Sequence, residues 1–512
     1  MRILIWHGWL LEGSGSNVYT ARVVETWRAQ GHDVLLIAQE RHPERFPFFD
    51  AWADGDLAAA RPLDADPAPG RATLFRPDIG DLMPVFVYDE YEGFRVKTFV
   101  DLSEEELETY LDRSVTTLRE AAARHGTEVA VAGHAIPGAL IAGRALGSIP
   151  YVAKIHGSDV EYAMRKQQRY VDLAREGLEG AASVAGASRD VLERLVGLVP
   201  SVADRLRVVH PGVEVERFRP MPRREALLRT ADLLQEDPAL ERGRPDGLAR
   251  DVGRALRLRD AEALDRLAGA YDQTSPDPAA PERLRALSVY EGPLVGYLGK
   301  LIPQKGVHDL LAALAVVRPR PHALIVGFGT FREWLEALVT ALDAGDPDAV
   351  AFLDEGMPVG LSAEEVAAAA GLAEHVSFTG RLDHRYAGSA AAALDVLVVP
   401  SILEEAFGMV ALEGTAAGAL PLMARHSGLA EVAAALESEI ERPGLLSFEP
   451  GPDAARSIAG GLERLFAIPR DERRDLARRL SGHVGDHWGW QRTADLLLGA
   501  VREAGVPPER PS

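Results

Sequence analysis

Two glutamates, Glu405 and Glu413, stand eight residues apart in the stretch 394–432. A short apolar run there stops at Pro400, a polar loop follows over 401–405, and Phe407-Gly408 opens a run with helical spacing that ends at Gly418, before a second apolar run, 419–423. Strand, loop, helix and strand in that order read as a parallel α/β unit, in which ligands sit outside the carboxyl ends of the strands and beside helix N-termini. Glu405 falls at that place, and Glu413 falls one or two turns into the helix. At 1.5 Å of rise per residue the two acids stand about 12 Å apart along the axis. A carboxylate pair acting on one bond with retention needs about 5 Å. The spacing instead suits two contacts at the two ends of an extended ligand; two solvated acids on an amphipathic helix are the plainer alternative.

A second charged set is Gly299-Lys300-Leu-Ile-Pro-Gln-Lys305-Gly306, between an apolar strand at 294–298 and a helix at 307–317. Helix dipole and free amides favour an anion there, and Lys300 and Lys305 supply charge-assisted bonds of about 1.5–3 kcal/mol each. The order of residues is not that of a Walker loop. In the first half, His134 follows an apolar strand at 128–132, and His156-Gly-Ser-Asp159 follows another at 151–155. His134 reads either as a structural histidine or as a ligand at a strand end, and Asp159 either as a ligand contact or as the N-cap of the next helix. The loop Glu12-Gly-Ser-Gly15-Ser-Asn17 departs from a dinucleotide fingerprint, because Val18 stands where the third glycine is required. A tight turn and a loop whose amides approach a phosphate both remain open for it. Asp54-Gly-Asp56, Asp64-Ala-Asp66 and Asp346-Pro-Asp348 lie in polar loops and read as turn acids rather than metal ligands.

These residues need a scaffold of strands whose ends they occupy. The spacing predicts strands at 3–6, 33–38, 128–132, 151–155, 183–186 and 205–209 in the first half, with helices at 18–30 and 103–125, the latter capped by Ser103. The stretch 41–84 reads as an irregular excursion, 85–88 as a short strand, and 341–369 as a further excursion. Residues 220–288, rich in Arg, Asp, Leu and Ala, read as an inserted helical hairpin or small bundle, a surface appendage without chemistry. The chain of 512 residues is too long for one core. A net charge of -21 argues against a nucleic-acid partner, and the absence of cysteine excludes disulfides, thiolate zinc sites and cysteine nucleophiles. The N-terminal apolar run is short and lacks a cleavage pattern, and no run of about 18 apolar residues occurs. A cytoplasmic protein is expected, with peripheral membrane contact left open.

Glu405-Ala-Phe407-Gly408 followed by Glu413 resembles the Glu-x7-Glu signature of the retaining glycosyltransferases of family 4, and Lys300 to Gly306 resembles that family's Gly-Arg-x4-Lys-Gly diphosphate site, with Lys300 in the usual arginine place. The match is specific in the second half and looser in the first. It implies the GT-B fold: α/β, two doubly wound Rossmann-like domains facing across a cleft, with the helical insertion as an addition. The implied boundaries are 1–219 for the acceptor-side domain, with a helix at 488–505 returning to it, 220–288 for the insertion, and 289–487 for the nucleotide-sugar domain. The resemblance implies a sugar transfer from a nucleoside-diphosphate sugar to an acceptor hydroxyl, without metal or other cofactor. It implies that Glu405 holds the donor sugar and Glu413 the ribose, with Phe407 and Gly408 beside them. Lys300 and Lys305 would hold the diphosphate, and backbone near Leu382 would face the base. Gly15 would approach the diphosphate, His134 the sugar, and His156 and Asp159 the acceptor. A GT-B phosphorylase and a non-catalytic nucleotide-sugar-binding scaffold are the alternatives. Donor sugar, base, acceptor and oligomeric state are not written in the motifs.

Overall fold

The computed structural model describes residues 1–88 and 91–504. The chain divides into two compact units, one of Met1–Gly212 with the C-terminal helix Trp490–Ala504, the other of Val213–Gly489. Residues 220–288 lie within the second unit. Position 505, the expected end of the C-terminal helix, lies outside the described residues.

Among the described residues, eleven strands belong to the first unit: β1 (Arg2–Trp6), β2 (Asp33–Ile37), β3 (Ala51–Asp54), β4 (Arg61–Pro62), β5 (Arg71–Arg76), β6 (Leu82–Val85), β7 (Arg95–Thr98), β8 (Val129–Gly133), β9 (Tyr151–Ile155), β10 (Ser183–Gly186) and β11 (Leu206–Val208). Nine of them form one sheet in the order β11-β10-β9-β8-β1-β2-β5-β3-β4, while β6 and β7 pair separately. All pairs in the large sheet are parallel except β3 with β4. A parallel sheet is covered on both faces, so its strands are continuous apolar runs; β8 and β9 are buried at every position. The helix Glu104–His125 starts with the capping box of Ser103 and Glu106, as its sequence predicts. The stretch 41–84 is not an irregular excursion, since β3, β4 and β5 extend the main sheet from it. Each of these strands is short and flanked by Pro, Asp or Arg, and pairing of β5 with β2 overrides that weak local signal. The small strand expected at 85–88 instead ends at Val85.

In the second unit β12 (Leu294–Lys300), β13 (His322–Phe328), β14 (Val376–Phe378), β15 (Val396–Val399), β16 (Leu420–Ala424) and β17 (Ser447–Phe448) form one parallel sheet in the order β14-β13-β12-β15-β16-β17. The chain runs outward from β12 through β13 to β14, then returns to the other side of β12 at β15. The first sheet does the same about β1, with β2 on one side and β8 on the other. These reversals are the switch points at which open α/β sheets hold ligands.

Residues 220–288 form the helices Arg223–Gln235, Leu248–Leu258, Ala261–Ala268 and Ala280–Leu287. They are not a surface appendage. Arg244, Ser275 and Asp277 are each 3% exposed. Arg244 Nε donates to Glu333 Oε1 at 2.8 Å, and Arg332 Nη2 donates to Asp277 Oδ2 at 3.0 Å. Charges that read as a solvated face are neutralised inside the second unit, where breaking one pair strands its partner. No described helix is long and apolar enough to cross a membrane.

Candidate active site

The second sheet's switch point lies between the ends of β12 and β15. After β12 the chain makes a short turn, Pro303–Lys305, and enters the helix Val307–Val316 through Gly306. Gly306 sits at φ +66°, and a Cβ there would lie 2.0 Å from Pro400 O. Only glycine permits this approach, and it brings the loop after β12 against the loop after β15. The amides of Ile402 and Leu403 donate to Gln304 O at 2.9 and 3.0 Å. The Lys305 Nζ and Glu405 Oε1 atoms form an ion pair, and Ser401 Oγ donates to the same oxygen at 2.7 Å. Glu405 O accepts from Gly428 N at 3.0 Å, and His426 Nε2 donates to Ser401 O at 2.6 Å. Burial raises the Glu405 carboxyl, but the Lys305 charge and the bonds from Lys305 and Ser401 outweigh it and hold the group below the usual carboxylate range. An ionised Glu405 therefore stands beside a cation and a helix N-terminus, able to accept from hydroxyls while Lys305 meets an anion.

Glu413 has a different environment. It lies on the helix Met409–Ala416, which starts at Gly408, a residue at φ +110°. Phe407 is buried just before it. Burial, together with the nearby Glu214, pushes the Glu413 carboxyl up to about 7, against the opposing charge of Arg217. The two glutamates thus have different neighbours, Lys305 and Ser401 at one and Glu214 and Arg217 at the other. An acid held above its unfolded value keeps its proton in the native state while the unfolded chain loses it, so stability falls between about pH 4.5 and 7 and is flat above. Glu413→Gln removes that fall. Thermal unfolding of the variant is expected to match wild type near pH 4 and exceed it at pH 8; equal midpoints at pH 8 would contradict the buried-acid account.

On the other side of β12, Lys300 Nζ lies 5.9 Å and Arg381 Cζ 5.0 Å from the centre of the Phe328 ring. Leu382, beside Arg381, is buried. The ends of β12, β13 and β14 thus carry one aromatic ring with two cations near it.

The first unit repeats the arrangement at its own switch point. His7, His134 and His156 are the residues immediately after the neighbouring strands β1, β8 and β9. The His134 and His156 rings are 4.5 Å apart, and His134 also packs on Trp9 at 4.7 Å and Phe86 at 4.9 Å. His134 has φ +74°, a left-handed conformation that costs about 1–3 kcal/mol for such a residue and gathers at functional sites. Its Nδ1 is buried without a hydrogen-bond partner among the described residues. Burial lowers His134 to about 3 and His7 to about 4, and it lowers His156 as well, with the neighbouring His134 adding to the effect on both His7 and His156. All three rings are neutral at pH 7 and act as hydrogen-bonding groups rather than cations.

Asp159 is fully buried. Its Oδ2 accepts from Ala135 N at 2.7 Å, and its Oδ1 from Gly157 N at 2.9 Å and Val160 N at 3.2 Å. The carboxylate ties the turn after β8 to the turn after β9 and so aims both histidines. Beneath them Lys154, 2% exposed, lies 4.9 Å from the Tyr19 ring centre. Burial lowers its ammonium to about 7, against the charge of Asp159. Gly15 is the first residue of the helix Gly15–Ala29, capped by Ser14, whose Oγ accepts from Asn17 N at 3.3 Å. Asn17 Oδ1 is 2.9 Å from His7 Nε2, which ties this loop to the strand ends.

His7, Lys154, Ser401 and the Phe328–Arg381 pair escaped the sequence reading. His7 carried a usable signal, because it follows its strand as His134 and His156 follow theirs. Asp56 and Asp346 are helix N-caps, the turn roles read for them. Among the described residues no group of three or more His, Asp or Glu is placed to hold a metal ion.

Residues 14–212 match the glycosyl transferase 4-like domain, and residues 360–479 match the glycosyl transferases group 1 family. The chain is 28% identical over 317 residues to a GDP-mannose-dependent alpha-(1-6)-phosphatidylinositol monomannoside mannosyltransferase of Mycobacterium tuberculosis, covering 61% of this chain and 61% of that protein. It is 27% identical over 343 residues to a 2-deoxystreptamine glucosyltransferase of Streptomyces kanamyceticus, covering 64% of this chain and 76% of the relative. The structure of Anabaena HepE in complex with UDP shares the fold, with a TM-score of 0.58, 14% identity, and 98% of this chain and 100% of that one covered. With a family match in each unit and the two parallel sheets of the GT-B fold, the chain belongs to the group 1 glycosyltransferases.

Proposed function

We propose that this chain is a retaining, metal-independent transferase that moves a sugar from a nucleoside-diphosphate sugar to an acceptor hydroxyl. The observation that carries the reading is the ion pair of Lys305 and Glu405 at the second sheet's switch point, beside the N-terminus of the helix Val307–Val316. Bond breaking at the anomeric carbon leaves negative charge on the diphosphate. Lys305, Lys300 and the helix N-terminus meet that charge, and preorganised donors aimed at developing charge are the largest single contribution in many enzymes. Glu405, held ionised, accepts from donor-sugar hydroxyls and keeps Lys305 in place before substrate arrives. Glu413 takes the ribose, and the neutral His134 gives a hydrogen bond to the sugar without adding a cation that would compete for the leaving group. Approach of the acceptor to the same face keeps the anomeric configuration, with its proton passing to the leaving phosphate.

Both curated relatives transfer sugars by name, and the mannosyltransferase names GDP-mannose as its donor. The chain spans 61% of the mannosyltransferase's own length, so the donor class is a proposal here. The test is a panel of UDP-, GDP-, ADP- and TDP-sugars in EDTA, with 2-deoxystreptamine and phosphatidylinositol monomannoside as acceptors, read by proton NMR. Transfer with an unchanged anomeric coupling is expected. Inversion, a requirement for metal, or turnover of a sugar phosphate without nucleotide would each overturn the reading.

A further inference from the structure

The helical segment 220–288 carries a feature that its family position does not explain. Residues Ser275, Pro276 and Asp277 run against the loop that follows β14. Asp277 N donates to Thr379 O at 2.7 Å and Arg381 N to Ser275 O at 3.3 Å, with Pro276 and Gly380 paired antiparallel between them. Gly380 takes φ +70°, and a Cβ there would lie 2.6 Å from Asp277 N and 2.9 Å from Ser275 O. The loop after β14 therefore has its shape because the inserted segment lies on it.

The inserted segment is itself anchored from below. Asp277 Oδ2 accepts from Arg332 Nη2 and from Arg283 Nη1, each at 3.0 Å. Arg283 Nη1 also donates to Phe378 O at 2.9 Å, at the last residue of β14. The Arg332 guanidinium lies 3.8 Å from the centre of the Phe378 ring, and its Nε and Nη1 are buried without hydrogen-bond partners among the described residues. Arg332 has left water for this one carboxylate, Glu336 and the ring face. Above the anchor, Arg381 extends over Phe328, a ring that Lys300 also approaches. The route from Arg332 through Asp277 and Gly380 to Arg381 is continuous. It ends two strand spacings, about 10 Å, from the lysines after β12. Glu405 and Glu413, which the proposal above gives to the donor sugar and the ribose, follow β15 on the opposite side of those lysines, which leaves this side for the base.

We propose that the inserted segment Ser275–Asp277 is part of the donor site, with Asp277 the positioning residue that sets the loop Gly380–Leu382 and Arg381 against the nucleoside of the donor. The inference rests on the donor-site reading above and adds to it that nucleoside recognition is built by the insertion, whereas diphosphate recognition is not.

Calorimetric titration separates the two. Wild type, Asp277→Ala and Arg283→Gln are titrated with UDP, GDP, ADP and TDP, and in parallel with inorganic pyrophosphate. The nucleotide that wild type prefers is expected to bind at least about 10-fold more weakly to Asp277→Ala. Its advantage over the other bases is expected to narrow, with pyrophosphate unchanged. Arg283→Gln, on a partly exposed side chain, shows the same selective loss at smaller size and carries the test if Asp277→Ala does not fold. Unchanged nucleotide affinity in both variants would overturn the inference. So would an equal loss for nucleotide and pyrophosphate, because a merely structural role weakens both. Absence of nucleotide binding by wild type would remove the donor-site reading itself.

Discussion

Lys305→Ala slows sugar transfer by about 10²- to 10³-fold, the usual loss when one preorganised donor to developing charge is removed. The side chain has two tasks in the structure, and the variant loses both. It is the cation of the Glu405 ion pair and stands at the entrance to the helix Val307–Val316, where we propose that the leaving diphosphate sits. Without it, burial dominates at Glu405 and the carboxyl moves up, so the variant gains a rise in rate with pH that wild type lacks. Lys305→Arg keeps the charge on a planar fork of different reach and recovers part of the rate. The measurement is kcat/KM on the preferred donor across pH 5–9. A Lys305→Ala enzyme within about threefold of wild type would sink the assignment, because charge-assisted bonds of 1.5–3 kcal/mol each predict more.

Asp159→Ala destabilises the first unit by about 3 kcal/mol or more, since each buried donor left without its acceptor costs about 1–3 kcal/mol. Three backbone N–H groups, of Ala135, Gly157 and Val160, lose their acceptor together, and Lys154 loses the opposing charge of Asp159. The effect is local before it is global. The turns after β8 and β9 are no longer tied, so the facing His134 and His156 rings lose their spacing. Hydrogen exchange reads this directly: protection at those three amides is expected to collapse in Asp159→Ala and to survive in Asp159→Asn, which keeps an acceptor oxygen. Intact protection in the alanine variant would show that the carboxylate does not hold the turns.

The parts that were legible in the sequence are those whose signal is local. Lys300, Lys305 and Glu405 each fall at the end of an apolar run or within about seven residues after it, the same runs become β12 and β15, and Glu413 falls on the helix that follows β15. The helix Glu104–His125 announced its start through Ser103 and Glu106. What stayed hidden depends on partners far apart in the chain. Arg332 and Asp277 are 55 residues apart and meet only when the inserted helices dock; until then an Arg- and Asp-rich segment looks solvated. The strands β3 to β5 were hidden for a related reason, since pairing outward from β2 to β5, β3 and β4 supplies the order that two to six residues beside Pro and Asp do not. Asp159 showed its polar type and its cap position, but not that its carboxylate is fully buried. Burial is what makes it a tie between two strands rather than a group facing a ligand.

We propose that the rim formed after β12 and β15 in the second unit holds a nucleoside diphosphate. Hydrogen–deuterium exchange with and without the preferred nucleotide, in EDTA, tests it most directly. Added protection is expected at the amides of 301–309 and 401–408 in wild type, lost in Lys305→Ala. Protection confined to other segments, or no change at saturating UDP, GDP, ADP and TDP, would contradict it.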